Sequence, residues 1–501
     1  MLTRVLATGI FLIISAISFS QNLSSAFSAI SEGNDMMGGS LVVFCESGII
    51  ENLSVGKSDF SRNISASTDT KYRVASISKT ITAIAIMQLV EQNLLDLDDD
   101  ISSILGYSVL NPDHPSIPLT TRMLLSHTST IIDGPTYSSF LNATVNNSLI
   151  PDLSEILTTG GTYYSETQFN NTLPGSYFNY ANINYVILGT IIEKISNLRF
   201  DVYCKQYISE PLEIDASFNV NDLTDLDQLA VLYRKVNSVW TPQADDYEGI
   251  QPVFSNLNGY VPGTNGGRFG PQGGFRCSGQ DLAKIFLVLM NNGSFDGVTL
   301  LSETSCSEMF ANEWTYNGSN GNNYFGLFLS WGLGIHRITS TPGNDIALPG
   351  SDAMLGHAGE AYGLVSDAYF DPIRKVGFVF INNGVGIGYQ TNNNSIFYTV
   401  EQEVFDAIEI HGNIDNCLLT NNLNEISIPT KTIFPNPATD FLTLPENVIQ
   451  VESTVSIFSF EGKLLKNTFV MKGERTIGIQ DLVKGVYILK LNNTAYKFIK
   501  E

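Results

Sequence analysis

An α+β fold followed by a small all-β sandwich is the architecture this 501-residue sequence predicts. Three observations carry the prediction. Strand-like segments stand at both ends of 36–411, "GSLVVFCESGII" in front and "KVGFVFINNG" behind, with helical periodicities between them. That order suits an antiparallel sheet closed by the two ends of the region and covered by helices. The balance of charge then changes sign near residue 412, and beyond it short runs alternate apolar and polar residues as strands do.

Taken in order, the chain opens with "MLTRVLATGIFLIISAISFSQN". One Arg4, a short apolar stretch and small residues around Ser18 and Ser20 predict a secretory signal over 1–20, cut near Ser20–Gln21. The apolar run is short for a membrane span, and no cysteine stands there to take a lipid. Within 36–411, "SKTITAIAIMQLVEQNLL", "NYVILGTIIEKIS", "GQDLAKIFLVLMNN" and "SIFYTVEQEVFDAIEI" repeat apolar residues at helical spacing. The Asn-rich stretch 412–430 has little periodicity and is expected to be a linker. In the tail, 431–501, "FLTLP", "STVSIFSF", "RTIGIQ" and "GVYILKL" are expected strands, separated by "EGK" and "VKG" turns.

Composition excludes some partners. Hydrophobic residues make up 43% of the chain, enough for a sizeable core, while the net charge is −23. The tail holds 9 Lys/Arg against 7 Asp/Glu, so the acidity belongs to the part before it. So acidic a chain is repelled by nucleic acid and by anionic membrane surfaces. The five cysteines (Cys45, Cys204, Cys277, Cys306, Cys417) are widely spaced, with no Cys-x-x-Cys. That spacing argues against a zinc site and a disulfide framework, leaving room for one or two bridges that sequence does not pair. Asn63 and Asn142 head glycosylation sequons that chance explains in an Asn- and Ser-rich chain.

Chemistry first shows itself in "YRVASISKTITAIAIMQLVE", where Ser76 stands three residues ahead of Lys79 at the front of an apolar helix. Residues i and i+3 share a helix face, so the two side chains can meet. Free N–H groups at a helix start stabilise a developing oxyanion. A lysine held against an apolar helix loses water, its pKa falls, and it becomes able to take the serine proton. The same spacing recurs at Ser54–Lys57, but in a polar, Gly-containing segment after a strand, where i and i+3 do not share a face.

Partners for Ser76 and Lys79 lie downstream. "FNYANINYVILG" contains overlapping Tyr-x-Asn triplets, Tyr177–Asn179 and Tyr180–Asn182, just before a helix. A tyrosine beside the pair can shuttle a proton, and an asparagine can orient the lysine and hold a substrate amide. Alone, the segment reads equally as an aromatic helix entry with a capping Asn. "LGHAGEAYG" places His357 ahead of Gly359 on a strand, where a histidine can donate to a substrate carboxylate or carbonyl. His127, in "MLLSHTST", is expected to be structural, bonding to backbone.

Together "SISK", "YAN" and "HAG" resemble the motifs of the serine β-lactamase and penicillin-binding-protein superfamily, in its class C-like, D,D-peptidase and esterase branch. "TTRMLLSHTST" and "FGPQGGFRCSGQDLAKI" resemble two further blocks of that family, and the resemblance spans nearly all of 36–411. It selects Tyr180–Asn182, followed by Tyr185, over the other triplet. It implies a β-lactamase/transpeptidase-like antiparallel sheet with flanking helices and a helical subdomain. The activity it implies is hydrolysis through an acyl-enzyme, with a β-lactam, a D-Ala-D-Ala-type peptide or a small ester as substrate and no metal or organic cofactor. The implied roles are Ser76 as nucleophile, Lys79 with Tyr180 as proton acceptor and donor, and Asn182 as the residue holding lysine and substrate. His357 would engage the substrate or assist the tyrosine. The N–H groups of Ser76 and Glu360, beside Gly359, would form the oxyanion hole. Two departures stand out: Thr130 occupies a position where the family has glycine, and Glu360 one where small residues are usual. "KVGF" (Lys375–Gly377) lies too late in order to serve as a third motif. An alternative reading is a protein that binds peptidoglycan or β-lactam and acylates without turnover.

The tail carries a second resemblance. "FPNPATDFLTL", "VSIFSFEGKLL", "DLVKGVYILKL" and "YKFIK" resemble the C-terminal sorting domain of the bacterial type IX secretion system, in its order of elements. This implies export to the surface or exterior of a Gram-negative bacterium, with secretion machinery as partner and no membrane span once the signal is removed.

Overall fold

Where the two ends of the larger region were expected to close a sheet, they do. The computed structural model describes residues 22–391, 395–414, 417, 433, 435–444, 453–459, 463–491 and 494–501. The expected signal over 1–20 and most of the expected linker lie outside them. By contacts, the chain divides into two units, 1–413 and 414–501.

In the first unit, β1 (Gly38–Cys45), β2 (Gly48–Asp59) and β3 (Ile64–Ser65) come early in the chain. Then come β4 (Trp314–Thr315), β5 (Ser330–Trp331), β6 (His336–Ile338), β7 (Met354–Ala361), β8 (Leu364–Asp371) and β9 (Val376–Asn382). They form one nine-stranded sheet in the order β4-β5-β6-β7-β8-β9-β1-β2-β3. Its closure is the antiparallel pairing of β1 with β9, Leu41 opposite Phe380 and Val43 opposite Phe378. Both strands are buried along their whole length because helices cover both faces, which is why they read as continuous apolar runs.

Five helices frame the sheet and the site: α1 (Leu23–Gly33), α2 (Ser78–Glu91), α3 (Asn182–Ser196), α4 (Gly279–Met290) and α5 (Thr399–His411). The period of two along β9 divides it between faces. Phe378 and Phe380 meet Phe405 of α5 and Phe27 of α1, with ring centroids 5.1 and 6.2 Å apart. Val379 and Ile381 join the main core with Leu282 and Phe286 of α4. Helix α2 is buried from Ser78 to Leu89, which explains why its apolar residues run all round it. Helix α1 precedes the expected start of the domain; "LSSAFSAISEG" is serine-rich and shows only a narrow apolar stripe.

In the second unit, β10 (Phe441–Thr443) pairs with β13 (Thr476–Gly478). The strands β11 (Ser453–Ser459), β12 (Leu464–Val470), β14 (Gly485–Leu491) and β15 (Thr494–Lys500) make a second sheet in the order β12-β11-β14-β15. Leu442 and Ile477 of one sheet share a core with Val455, Ile457, Leu489 and Phe498 of the other. Two sheets around one core make the expected sandwich.

Candidate active site

The residue before the candidate nucleophile is strained. Ala75 has φ of 46°, a left-handed conformation that costs a non-glycine residue energy and persists only where its surroundings impose it. It opens a 3₁₀ turn, Ala75–Ile77, that feeds directly into α2 and presents Ser76 half-buried. Behind the turn, Ser366 Oγ donates to the Val74 carbonyl at 3.1 Å, and Phe275 N–H donates to Ser78 Oγ at 3.0 Å. Ser76 is therefore held by β8 and by the segment ahead of α4, as well as by its own helix.

Three residues on, the 3₁₀ turn brings i and i+3 into line. Lys79 Nζ lies 3.1 Å from Ser76 Oγ, 2.9 Å from Asn182 Oδ1 and 2.8 Å from the carbonyl of Gln272. The lysine side chain is fully buried. Loss of water lowers its pKa to about 7, and the charge of Asp133 only partly opposes that fall. An uncharged Lys79 donates to Asn182 and Gln272 and keeps its lone pair for the Ser76 hydroxyl. Ser54–Lys57, by contrast, lies within β2, where residues three apart point to opposite faces.

The structure discriminates between the two Tyr-x-Asn triplets. Asn182, not Asn179, bonds Lys79, and the Tyr180 phenol faces the same site, near enough for Ser76 to act on its pKa. The lysine nitrogen also lies 4.8 Å from the centre of the Tyr180 ring. Burial pushes the Tyr180 phenol well above its ordinary pKa, so it rests as a neutral phenol able to relay a proton. Tyr185 is buried behind, its hydroxyl donating to the Leu125 carbonyl at 3.3 Å.

Of the two roles expected for His357, its position bears on the one beside the tyrosine. Its side chain has no exposure, and Nδ1 bonds the Ala358 carbonyl at 2.5 Å. Burial holds it well below the ordinary histidine pKa, hence neutral. The imidazole packs toward Tyr180 and Trp331, with centroids 6.0 and 5.3 Å away. Direct contact with a substrate does not fit this position; support of the Tyr180 ring does. Gly359 lets β7 reach the nucleophile turn, because a Cβ there would lie 2.8 Å from the Val74 carbonyl oxygen. The described pairing of β7 with β6 ends at Gly356, so the edge from His357 to Ala361 is free of that strand. Glu360 lies on this edge, with its carboxylate accepting from the Tyr398 hydroxyl at 2.8 Å.

Three residues that sequence reasoning did not assign to the site build it. Asp133 takes the backbone N–H of Asn182 and of Ile183, at 3.1 and 2.9 Å, capping α3 from outside the helix. It also accepts from Asn182 Nδ2 at 2.8 Å, which turns the amide so that Oδ1 faces Lys79. His127, expected to bond backbone, does so by accepting from the Ala181 N–H at 3.2 Å. It also stacks under Tyr180, centroids 4.4 Å apart. Gln272 supplies a carbonyl. The only sequence signal was the nearness of Asp133 to the "LLSHTST" block. Thr130 keeps a left-handed φ of 71° where glycine was expected, and its hydroxyl accepts from Asn111 at 2.8 Å.

Among the described residues no group of three or more His, Cys, Asp or Glu is arranged to hold a metal. Cys204, Cys277 and Cys306 are free but buried, and burial raises their thiol pKa values.

Comparison with known proteins follows the same lines. A family model described as Beta-lactamase matches residues 23–395, and one described as Secretion system C-terminal sorting domain matches 432–501. Protein flp of Staphylococcus aureus (strain MRSA252) is 27% identical over 186 residues, 37% of this chain and 35% of flp. Penicillin-binding protein 4* of Bacillus subtilis (strain 168) is 28% identical over 196 residues, 38% of this chain and 40% of that protein. The match thus spans well under half the length of these curated relatives. Among solved structures, the octameric penicillin-binding protein homologue from Pyrococcus abyssi shares the fold with a TM-score of 0.58 at 18% identity, covering 95% of this chain and 89% of its own. The D-amino acid amidase from Ochrobactrum anthropi SV3 does so at 0.54 and 17%, covering 79% and 99%. The hydrolase EstCE1 does so at 0.53 and 18%, covering 77% and 98%.

Proposed function

Starting from the fact that the chain belongs to the beta-lactamase family, we propose that it is an exported serine hydrolase acting through an acyl-enzyme on amide or ester substrates. The observation that carries this is the fully buried Lys79 amine, its pKa brought down to about 7, within 3.1 Å of the Ser76 hydroxyl. Such an amine serves as a base at neutral pH, which an ordinary lysine does not.

Ser76 Oγ attacks the substrate carbonyl while its proton passes to Lys79 Nζ. The ammonium so formed is held by Asn182 and Gln272, both already bonded to the amine. Tyr180, a neutral phenol whose ring lies 4.8 Å from the lysine nitrogen, passes a proton to the leaving group and is reprotonated from the lysine. The backbone N–H groups of Ser76 and Glu360 stabilise the oxyanion; one such donor contributes about 3 kcal/mol. Water then attacks the acyl-enzyme by the same path reversed. Relatives of the fold named as penicillin-binding protein, D-amino acid amidase and promiscuous hydrolase support the range of D-amino-acid peptides, β-lactams and small esters. The sorting-domain match supports export by the type IX route, to the cell surface or beyond.

Intact-mass analysis with a fluorophosphonate, alongside a panel of D-Ala-D-Ala peptides, nitrocefin and short esters, tests the proposal. Ser76→Ala is expected to lose both the adduct and turnover with an unchanged circular dichroism spectrum; turnover retained by this variant rejects the nucleophile. A wild-type acyl adduct with nitrocefin that persists without product release means acylation without hydrolysis.

A further inference from the structure

Between Arg73, three residues ahead of Ser76, and Gln272 lies a cleft of about 490 Å³ whose wall is positive in an otherwise acidic protein. Arg73, Arg268 and Arg276 line it, and no aspartate or glutamate does. The cleft adjoins the lysine of the pair through one shared residue. Gln272, whose carbonyl binds Lys79, also borders it, as do Gly274 and Tyr362, the latter just beyond the end of β7.

Two of these arginines are paired in an unusual way. The short ladder Lys71–Arg73 with Arg276–Ser278 sets Arg73 directly opposite Arg276. Like charges facing each other across a ladder are destabilising. Both guanidiniums bind one carboxylate, Asp245, at 2.7–3.2 Å, and Asp245 is itself buried. One positive charge is left over. Arg268 adds a second. Its polar contact is the Asn256 side-chain oxygen, at 3.3 and 3.4 Å, and it lies over the Phe254 ring at 4.7 Å. None of the ion pairs formed in the described residues involves it. Burial lowers its pKa, and the charge of Asp201, which is itself paired with Arg199, only partly opposes that fall. A desolvated guanidinium without a carboxylate is costly to hold, and a bound anion offsets that cost. The rest of the wall is apolar, from Leu141, Val145, Phe218 and Leu257.

We propose that this cleft is a substrate subsite for a carboxylate, carried at the end of a short apolar chain, with Arg268 as the residue that selects it. The inference rests on Ser76 being the nucleophile and adds a substrate class to that reading: amides or esters bearing an anionic group on the part seated between Tyr362 and Arg268. The carboxylate pairs with Arg268 and the surplus charge of the Arg73–Asp245–Arg276 cluster, while the chain that bears it lies on the apolar wall.

The test compares p-nitrophenyl hemiglutarate with p-nitrophenyl valerate, an ester of equal chain length without the terminal charge, using the full chain. Wild type is expected to favour the anionic ester in kcat/KM by tenfold or more, with the preference shrinking as salt rises. Arg268→Met should reduce the ratio of the two kcat/KM values to near one, and Arg268→Lys should retain part of it. In parallel, glutarate should slow fluorophosphonate labelling of Ser76 in wild type and not in Arg268→Met, a readout that needs no turnover. Labelling of Ser76 with no anionic preference and no glutarate protection overturns the subsite while leaving the hydrolase intact. A preference that survives in Arg268→Met overturns the role of that arginine. Failure to label Ser76 at all, with neither ester cleaved, rejects the nucleophile and the subsite with it.

Discussion

Asp133 and Lys79 are coupled through one amide. The carboxylate of Asp133 sets the orientation of Asn182, and Asn182 holds the lysine. Its charge also opposes the fall in the lysine pKa. Asp133→Asn is therefore expected to lower kcat about tenfold and to move the basic-form limb of the kcat/KM profile to lower pH. In wild type that limb rises with pH through about 7, because the amine must lose its proton to act as base. A purely structural role for Asp133 would lower activity without moving the limb. His127 makes a second residue-scale case. Its ring supports Tyr180 at 4.4 Å, so His127→Ala should lower kcat more than it raises KM, measured with a neutral ester. Ser76, Lys79 and Asn182 were legible because each stands at the start of an apolar helix, in a local pattern. Asp133, His127 and Gln272 were not, because each reaches its partner across 49 or more residues, and no local pattern records such a meeting.

At the scale of elements, α5 docks on the sheet through an acid pair. Asp367 of β8 and Glu401 of α5 are buried together, and burial raises both carboxyl pKa values, Glu401 to about 8. Glu401 also accepts the Tyr398 backbone N–H at 2.5 Å, capping its own helix. In the unfolded chain both acids ionise near their ordinary values, whereas burial in the folded protein holds them protonated to higher pH. The unfolded state thus binds fewer protons between about pH 4.5 and 8, and stability falls as pH rises through that window. Glu401→Gln keeps a hydrogen-bonding group without the charge. It is expected to flatten the fall in melting temperature between pH 5 and 8, which thermal unfolding at several pH values measures. A slope equal to that of wild type would show the pair to be ionised. The sequence pattern marked α5 directly but not β8, and it could not show the pairing of β1 with β9, which joins segments more than three hundred residues apart.

At the scale of the molecule, the two units have separate cores, and every residue of the candidate site belongs to the first. Removing 431–501 is accordingly expected to leave ester hydrolysis and the melting transition of the first unit in place. The same truncation should strand the protein in the periplasm, as fractionation of the producing cells would show; normal export of the shortened chain would refute the sorting role. The excess of acid in the first unit sharpens the meaning of the cleft beside Gln272, since a cluster of arginines in so negative a domain marks a place where an anion is welcome.

By itself the sequence determined the class of fold, the two families of motif, the candidate Ser76–Lys79 pair, and the sandwich at the end, because helix starts, strand alternation and turns are written over a few neighbouring residues. Tertiary structure alone decided that His357 lies buried behind the phenol, that Asp133 steers the amide, and that three arginines line one cleft. The physical reason is that burial and long-range contact set charge states and distances. The Lys79 amine becomes a base only when the folded chain takes its water away.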